Sequence, residues 1–282
     1  MPEAEETQAN LEDAAELLAA RYREKLGKVP SQWSAVLETL LAHRSVRGFL
    51  PNQVPDETLD LALAAASSAS TSSNLQTWSV VVVQDQARKA RLAKLAAGQR
   101  FIEQSPTLLM WLADLSRIEA LAAARQQNVE GIHYLELMFV AIIDAALAAQ
   151  NAVVALESLG LGAVYIGAMR NNPLEVAAEL ALPPRVFPVF GMSIGFPDLA
   201  VSTGIKPRLP PAAVVHREQY SAAPQAAAIS AYNSSMSAFQ AEQKMGPEIW
   251  TDKVINRVRT PASLGGRDKM REVLAKLGFE LR

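Results

Sequence analysis

Apolar positions along the chain fall into two kinds of run, one with helical spacing and one β-branched and continuous. From Leu11 to Lys25, alanine and leucine recur at helical spacing among charges until Gly27 and Pro30 end the run. A second helix is expected from about Ser31, as its N-cap, to His43, and a third from Pro55 through Ala66 with proline in its first turn. The hydroxyl-rich stretch Ser67 to Asn74 leads straight to Trp78 and the run Ser79 to Val83, which predicts an ordered loop entering a buried strand. Asp85 to Ala97 reads as helix and Pro106 to Ala113 as a second apolar strand. From Tyr134 to Leu159 the chain is apolar on nearly every helical face and stops at Gly160 and Gly162, as a central core helix would. A third strand is expected at Ala163 to Met169, then a short helix capped by Asn172 and begun by Pro173, and a fourth strand at Phe187 to Gly195. After the loop Phe196 to Pro211, a polar helix spans about Pro224 to Gln243, followed by shorter pieces near Trp250 to Val258 and Arg267 to Leu277. There is no internal repeat. Helices outnumber strands without alternating regularly with them, which predicts an α+β arrangement rather than a doubly wound sheet.

Composition narrows the chemistry. Half of the 282 residues are hydrophobic, enough for a sizeable core, and residues 1–30 read as a helical extension ahead of one domain over 31–282. The formal charge of −2, from 27 basic and 29 acidic side chains, gives no general pull toward nucleic acid or an anionic membrane, so neither is expected as a partner. The apolar tract Leu137 to Leu156 carries Asp144, Gln150 and Asn151, a poor composition for a lipid-spanning helix. The acidic start MPEAEETQ lacks the basic and apolar regions of a secretory signal, so the expected location is the cytoplasm. With no cysteine, the chain has no disulfide, thiolate nucleophile, cysteine-ligated zinc or iron–sulfur cluster. The three histidines, His43, His133 and His216, are too widely spaced to write a local metal pair.

Several motifs point in other directions. Gly191 to Gly195 spells GMSIG, the G-x-S-x-G pattern of a serine hydrolase, with Asp198 and His216 following in triad order. That elbow needs a helix directly after the serine, which Phe196, Pro197 and Asp198 do not begin, so Ser193 is expected to face a sheet. Gly160 and Gly162 follow a helix rather than a strand, and Tyr165 fills the third glycine position of a dinucleotide fingerprint, so they read as helix-end residues. The acidic pairs Glu12/Asp13 and Asp56/Glu57 read as solvated helix starts. Asp144 lies inside the buried helix and needs a partner, for which an arginine is expected.

Three separated pieces share one theme, an anion held by side chains. HRSVR, His43 to Arg47, sets two guanidiniums and a hydroxyl where a helix ends; TSSNLQTW, Thr71 to Trp78, adds neutral hydroxyl and amide donors; KPR, Lys206 to Arg208, holds two cations about a stiff proline. Arginine forks suit phosphate oxygens, lysine adds a point charge, and hydroxyls complete the shell.

Together with GQRF at Gly98 to Phe101, AAQNAV at Ala148 to Val153, ESLGLGAVYIGAMRNNP at Glu157 to Pro173 and IKPRLP at Ile205 to Pro210, these pieces resemble the nitroreductase/flavin reductase family. The likeness runs from about Leu37 to the C-terminus and is nearest to the NADPH-type oxygen-insensitive nitroreductases. It implies an α+β nitroreductase-like fold, a central, mostly antiparallel sheet flanked by helices, in a domain-interlocked homodimer with one FMN at each of two interface sites. By this resemblance His43, Arg44, Ser45 and Arg47 meet the FMN phosphate, ribityl chain and ring edge, and Lys206 and Arg208 complete the phosphate clamp. Thr71, Ser72 and Asn74 match the cofactor loop that reaches across the dimer; Gln99, Arg100 and Phe101 match the segment at the pyrimidine edge. Tyr165, Ile166, Gly167 and Ala168 match the strand end over the flavin, with the Gly167 amide directed at N5; the family usually has a second glycine where Ala168 stands.

The activity implied is FMN-dependent, ping-pong hydride transfer from NADPH or NADH to small-molecule acceptors: nitroaromatics, quinones or free flavin. No side chain is expected to act as a catalytic acid, base or nucleophile; Arg47 and Gln99 are the candidates for stabilising charge at the pyrimidine edge. The arginine-rich loop of NADPH-using relatives is here AEQKMGPEIW, Ala241 to Trp250, leaving Lys244 as the local cation and Arg257 or Arg259 as further candidates for the dinucleotide. The alternatives are an FMN-binding module without efficient turnover and, from the GMSIG motif, a serine hydrolase using Ser193.

Overall fold

The computed structural model describes residues 13–24 and 31–282. MPEAEETQ, Leu11, Glu12, Lys25, Gly27 and Pro30 lie outside the described residues. Among the described residues the order is α1 (13–22), α2 (Ala35–Ala42), α3 (Asp56–Ser67), β1 (Trp78–Val83), α4 (Gln86–Leu95), α5 (Arg100–Gln104), β2 (Thr107–Asp114), α6 (Ser116–Ala124) and α7 (Leu135–Ser158). Then come β3 (Gly162–Ile166), α8 (Pro173–Glu179), β4 (Val186–Gly195), α9 (Pro211–Val214), α10 (Gln225–Glu242), α11 (Trp250–Val258) and α12 (Met270–Lys276). The chain divides into two compact units, Ser45–Val201 with Leu264–Arg282, and Met1–Arg44 with Ser202–Ser263.

The first unit holds a four-stranded sheet in the order β1-β2-β4-β3, with every neighbouring pair antiparallel. β2 is buried at all eight positions because both faces of the sheet are covered. Its side chains alternate: Leu109 and Trp111 pack with α3 and α7, while Leu108 and Met110 pack with Leu92 and Ala93 of α4 and Val176 of α8. On α7, Ala148, Ala149 and Ala152 belong to the first of these clusters, and their small side chains let a helix lie close on the sheet. Among the described residues the expected strands and helices are present, most with ends shifted by one to three residues and α11 at the bounds expected.

Four expectations change. The run Ser79 to Val83 is the sheet's edge strand, so Trp78 to Val81 are only half-buried. α7 is not covered all round: Leu135, Phe139, Ile143 and Leu147 recur every fourth residue and stay exposed. Gly160, at φ 80°, ends α7, but Gly162 begins β3 instead; a Cβ there would sit 2.5 Å from Cγ2 of Val46, so only glycine lets the HRSVR segment lie on β3. Asn172 makes no side-chain cap; its Nδ2 instead donates to the Leu95 carbonyl at 2.6 Å.

Asp144 also departs from expectation. Its partners are loop donors rather than an arginine: Oδ2 accepts from the Thr71 hydroxyl at 2.6 Å and from the Thr77 hydroxyl and amide at 2.9 and 3.0 Å, and Oδ1 from the Ser72 amide at 3.2 Å. Several charge-assisted bonds satisfy a carboxylate without a counter-ion.

The second unit packs Tyr232, Met236 and Phe239 of α10 against Leu209 and Trp250, with the Tyr232 and Trp250 rings edge-on at 5.0 Å. α2 begins at Ala35 because Ser34, not Ser31, accepts from the Leu37 amide.

Replacing Asp144 by alanine leaves the Thr71 and Thr77 hydroxyls and the Ser72 and Thr77 amides without this acceptor, the Thr77 pair buried. The expected cost is ~3 kcal/mol of unfolding free energy, measured by urea denaturation, with Asp144→Asn losing less.

Candidate functional site

The HRSVR motif straddles the division between the units, which falls after Arg44. In the first unit Val46 is buried and donates its amide to the Ala163 carbonyl at 3.0 Å, which pins Ser45 and Arg47 beside β3. The Arg47 guanidinium stands 5.9 Å from the centre of the Phe101 ring, so HRSVR and GQRF come together there. Gln99 precedes α5 and makes no side-chain cap; Arg100 is exposed.

At the end of β3 the chain tightens into a single-turn helix over Gly167–Asn171, so the expected strand to Met169 stops at Ile166. A Cβ on Gly167 would lie 3.5 Å from Nη2 of Arg170 and 3.9 Å from Nη1 of Arg267. The bare glycine therefore leaves backbone open beside two guanidiniums. Burial lowers the Arg170 pKa, and its guanidinium donates to the Val189 carbonyl; Arg267 Nε donates to Asn171 Oδ1 at 2.9 Å. Neither arginine was legible as a site residue, because Arg267 arrives from the far end of the chain through the glycine pair Gly265–Gly266. Ala168, where a glycine is usual, turns its methyl into the buried cluster with Leu108, Met110 and Ile166, so the substitution is absorbed by the core. Tyr165 donates its hydroxyl to Gln150 Oε1 at 3.2 Å; burial and the Glu157 carboxylate raise its pKa and keep the phenol protonated.

The hydroxyl-rich loop is held from below. Thr71 spends its proton on Asp144, while Ser72 and Asn74 are exposed. Ser73, Asn74 and Gln76 take left-handed backbone angles, a tight path that Asp144 secures from α7.

In the second unit the two cationic motifs meet through a residue of α1. Arg21, 6 % exposed, donates to the carbonyls of Lys206, Leu41 and His43, each at 2.8 Å. Arg208 returns its amide to the Arg21 carbonyl at 3.0 Å, and the Pro207 carbonyl accepts from the Tyr232 hydroxyl at 3.1 Å. His43 and Lys206 are half-buried, whereas Arg44 and Arg208 are exposed. Arg208 Nη1 donates to the Lys206 carbonyl at 3.0 Å. Lys244 sits just past α10 at φ 52°, and Arg257 donates to the Ser263 carbonyl.

The GMSIG serine is not a nucleophile. Ser193 lies within β4, has no exposed surface, and accepts from the Ser105 hydroxyl at 3.0 Å. His216, in the second unit, packs its ring against Tyr220, the centroids 4.3 Å apart and the planes tilted by 41°. Among the described residues no group of histidine and acidic side chains is placed to hold a metal.

The family model described as Nitroreductase family matches residues 40–196, and that described as Nitroreductase family, C-terminal domain, matches residues 206–282. The chain belongs to the nitroreductase family. Within this family it is similar to a Bacillus subtilis protein named FMN reductase [NAD(P)H], 38% identical over 253 residues, 87% of this chain and 98% of that one. It is also similar to the oxygen-insensitive NADPH nitroreductase of Salmonella typhimurium, 38% identical over 187 residues, 66% of this chain and 75% of that one. Among solved nitroreductase-fold structures, the hypothetical oxidoreductase YcnD from Bacillus subtilis superposes with a TM-score of 0.84 at 36% identity, covering 89% of this chain and all of that one. The NADPH:FMN oxidoreductase from Vibrio harveyi complexed with NAD+ gives 0.79 at 31% identity, over 88% of this chain and all of that one. The α+β expectation and the family resemblance are borne out.

Ser193→Ala is expected to leave redox turnover within about twofold, with no labelling of Ser193 by a fluorophosphonate in the parent protein, as read by mass spectrometry.

Proposed function

We propose that this nitroreductase-family oxidoreductase binds FMN and works as a cytoplasmic homodimer, passing hydride from NADPH or NADH to nitroaromatics, quinones or free flavin in two half-reactions. The observation that carries the reading is the cationic frame of the second unit, where one guanidinium bonds the backbone of both HRSVR and KPR. Relatives named FMN reductase support FMN as its occupant.

The residues present fit the group. Arg44, Lys206 and Arg208 supply charge for a phosphate, and the His43 imidazole and the Ser45 hydroxyl supply further donors. Gly167 offers a bare amide to the ring, Tyr165, Ile166 and Ala168 shape the strand end around it, and Arg170 and Arg267 make that end positive. When bound, FMN supplies the two-electron chemistry, taking hydride at N5 from a nicotinamide and giving it to a second ligand. Arg47 and Gln99, with Arg100 and Phe101 beside them, hold positive charge and donors at the pyrimidine edge, which favours the electron-rich ring. Thr71, Ser72 and Asn74 belong to the loop that reaches the partner subunit's cofactor. The exposed stripe Leu135, Phe139, Ile143 and Leu147 fits a second copy of the chain, since a row of large apolar side chains on one helix face is costly in water. Residues 31–282 act as one FMN-binding domain and residues 1–30 as an appended extension. A binding module without turnover is the competing reading, and the test separates the two.

Anaerobic addition of NADPH or NADH is expected to bleach the flavin absorbance, which returns on adding menadione or a nitroaromatic; flavin that neither dinucleotide bleaches overturns the enzyme reading. In the same assay Lys244→Ala is expected to lower the NADPH-to-NADH rate ratio, and a ratio above a hundred that survives the substitution removes Lys244 from donor selection.

Phe139→Asp on α7 is expected to shift the protein from dimer to monomer in light scattering at micromolar concentration.

A further inference from the structure

The extension that precedes the matched family region, which begins at residue 40, enters the second unit at the phosphate clamp. On α1, Ala14 is fully buried and Arg21 nearly so; just past its end, Arg23 makes a two-pronged pair with Glu242 of α10 at 2.6 and 2.8 Å with its guanidinium 5.7 Å from the Phe239 ring centre. The helix is therefore docked at its end through charge and stacking as well as through burial.

We propose that Arg21 is a positioning residue for the cofactor phosphate: it fixes the backbone that carries His43, Arg44, Lys206 and Arg208 without contacting the phosphate itself. A guanidinium taken out of water is tolerated only when its donors are used, and here Nη1 and Nη2 serve three carbonyls from two segments more than 160 residues apart in sequence. Its fixed planar fork sets the spacing of those carbonyls, which one point charge on a lysine stem does not do. Because the peptide is planar and trans, drawing the His43 carbonyl to Arg21 turns the Arg44 amide away from it.

This inference rests on the FMN reading, so the test separates the two. Apoprotein of the full chain is titrated with FMN and with riboflavin, which lacks the phosphate, following flavin fluorescence. Lys206→Ala tests the reading: it should weaken FMN at least tenfold and riboflavin little, and an unchanged FMN-to-riboflavin ratio would remove the phosphate clamp altogether. Arg21→Met should weaken FMN roughly tenfold with riboflavin held within about twofold, and Arg21→Lys should recover less than half of that loss. If Lys206→Ala lowers the ratio while Arg21→Met leaves it intact, or weakens both flavins alike, Arg21 is only a scaffold residue and the proposal falls; full recovery by lysine overturns it too, since charge alone would then suffice. Should Arg21→Met not fold, Arg23→Ala frees the same helix end at its Glu242 anchor, and a few-fold fall in the ratio is expected there, with no fall counting against the proposal.

Discussion

Like charges crowded together repel, and on the FMN reading the phosphate site gathers Arg44, Lys206 and Arg208. The second unit meets this constraint through the main chain. Carbonyl oxygens of Leu41, His43 and Lys206 converge on one buried guanidinium, and the Tyr232 hydroxyl fixes the Pro207 carbonyl from α10. The His43 and Lys206 segments are thus fixed through their backbone carbonyls.

On the same reading, the first unit meets a related need, that of a flat ring. A sheet buried on both faces makes a stiff platform, and the useful atoms sit where its order breaks off. β3 gives way at Gly167, HRSVR lies on it only because Gly162 has no side chain, and the hydroxyl loop hangs from a carboxylate inside the platform's own helix. Rigid elements carry the load, and irregular backbone next to them presents the donors.

Much of this was legible in the sequence where the signal is local. Four strands and the long helix follow from apolar runs and β-branched residues, and HRSVR, GQRF and IKPRLP mark the family by contiguous pattern. What escaped depends on contacts between distant segments. Ser31 and Ser34 are equal as local N-cap signals, and only the Leu37 amide chooses between them. The run after Trp78 looks interior by composition, yet a strand's place at an edge is set by its neighbours. Asp144 advertised a need for a partner without saying whether hydroxyls or a cation would meet it. Arg21 sat in an alanine-rich charged helix whose pattern is that of any solvated segment, and its burial is visible only with residues 41, 43 and 206 in view.

α7 serves two masters at adjacent positions: Ile143 belongs to its apolar outer stripe, and Asp144 anchors the loop of Thr71 and Ser72. On the homodimer reading, subunit association and the ordering of that loop are thermodynamically linked through a single turn of helix. Cofactor retention then becomes a function of protein concentration, and a dilute solution would shed its colour without any change in the covalent chain.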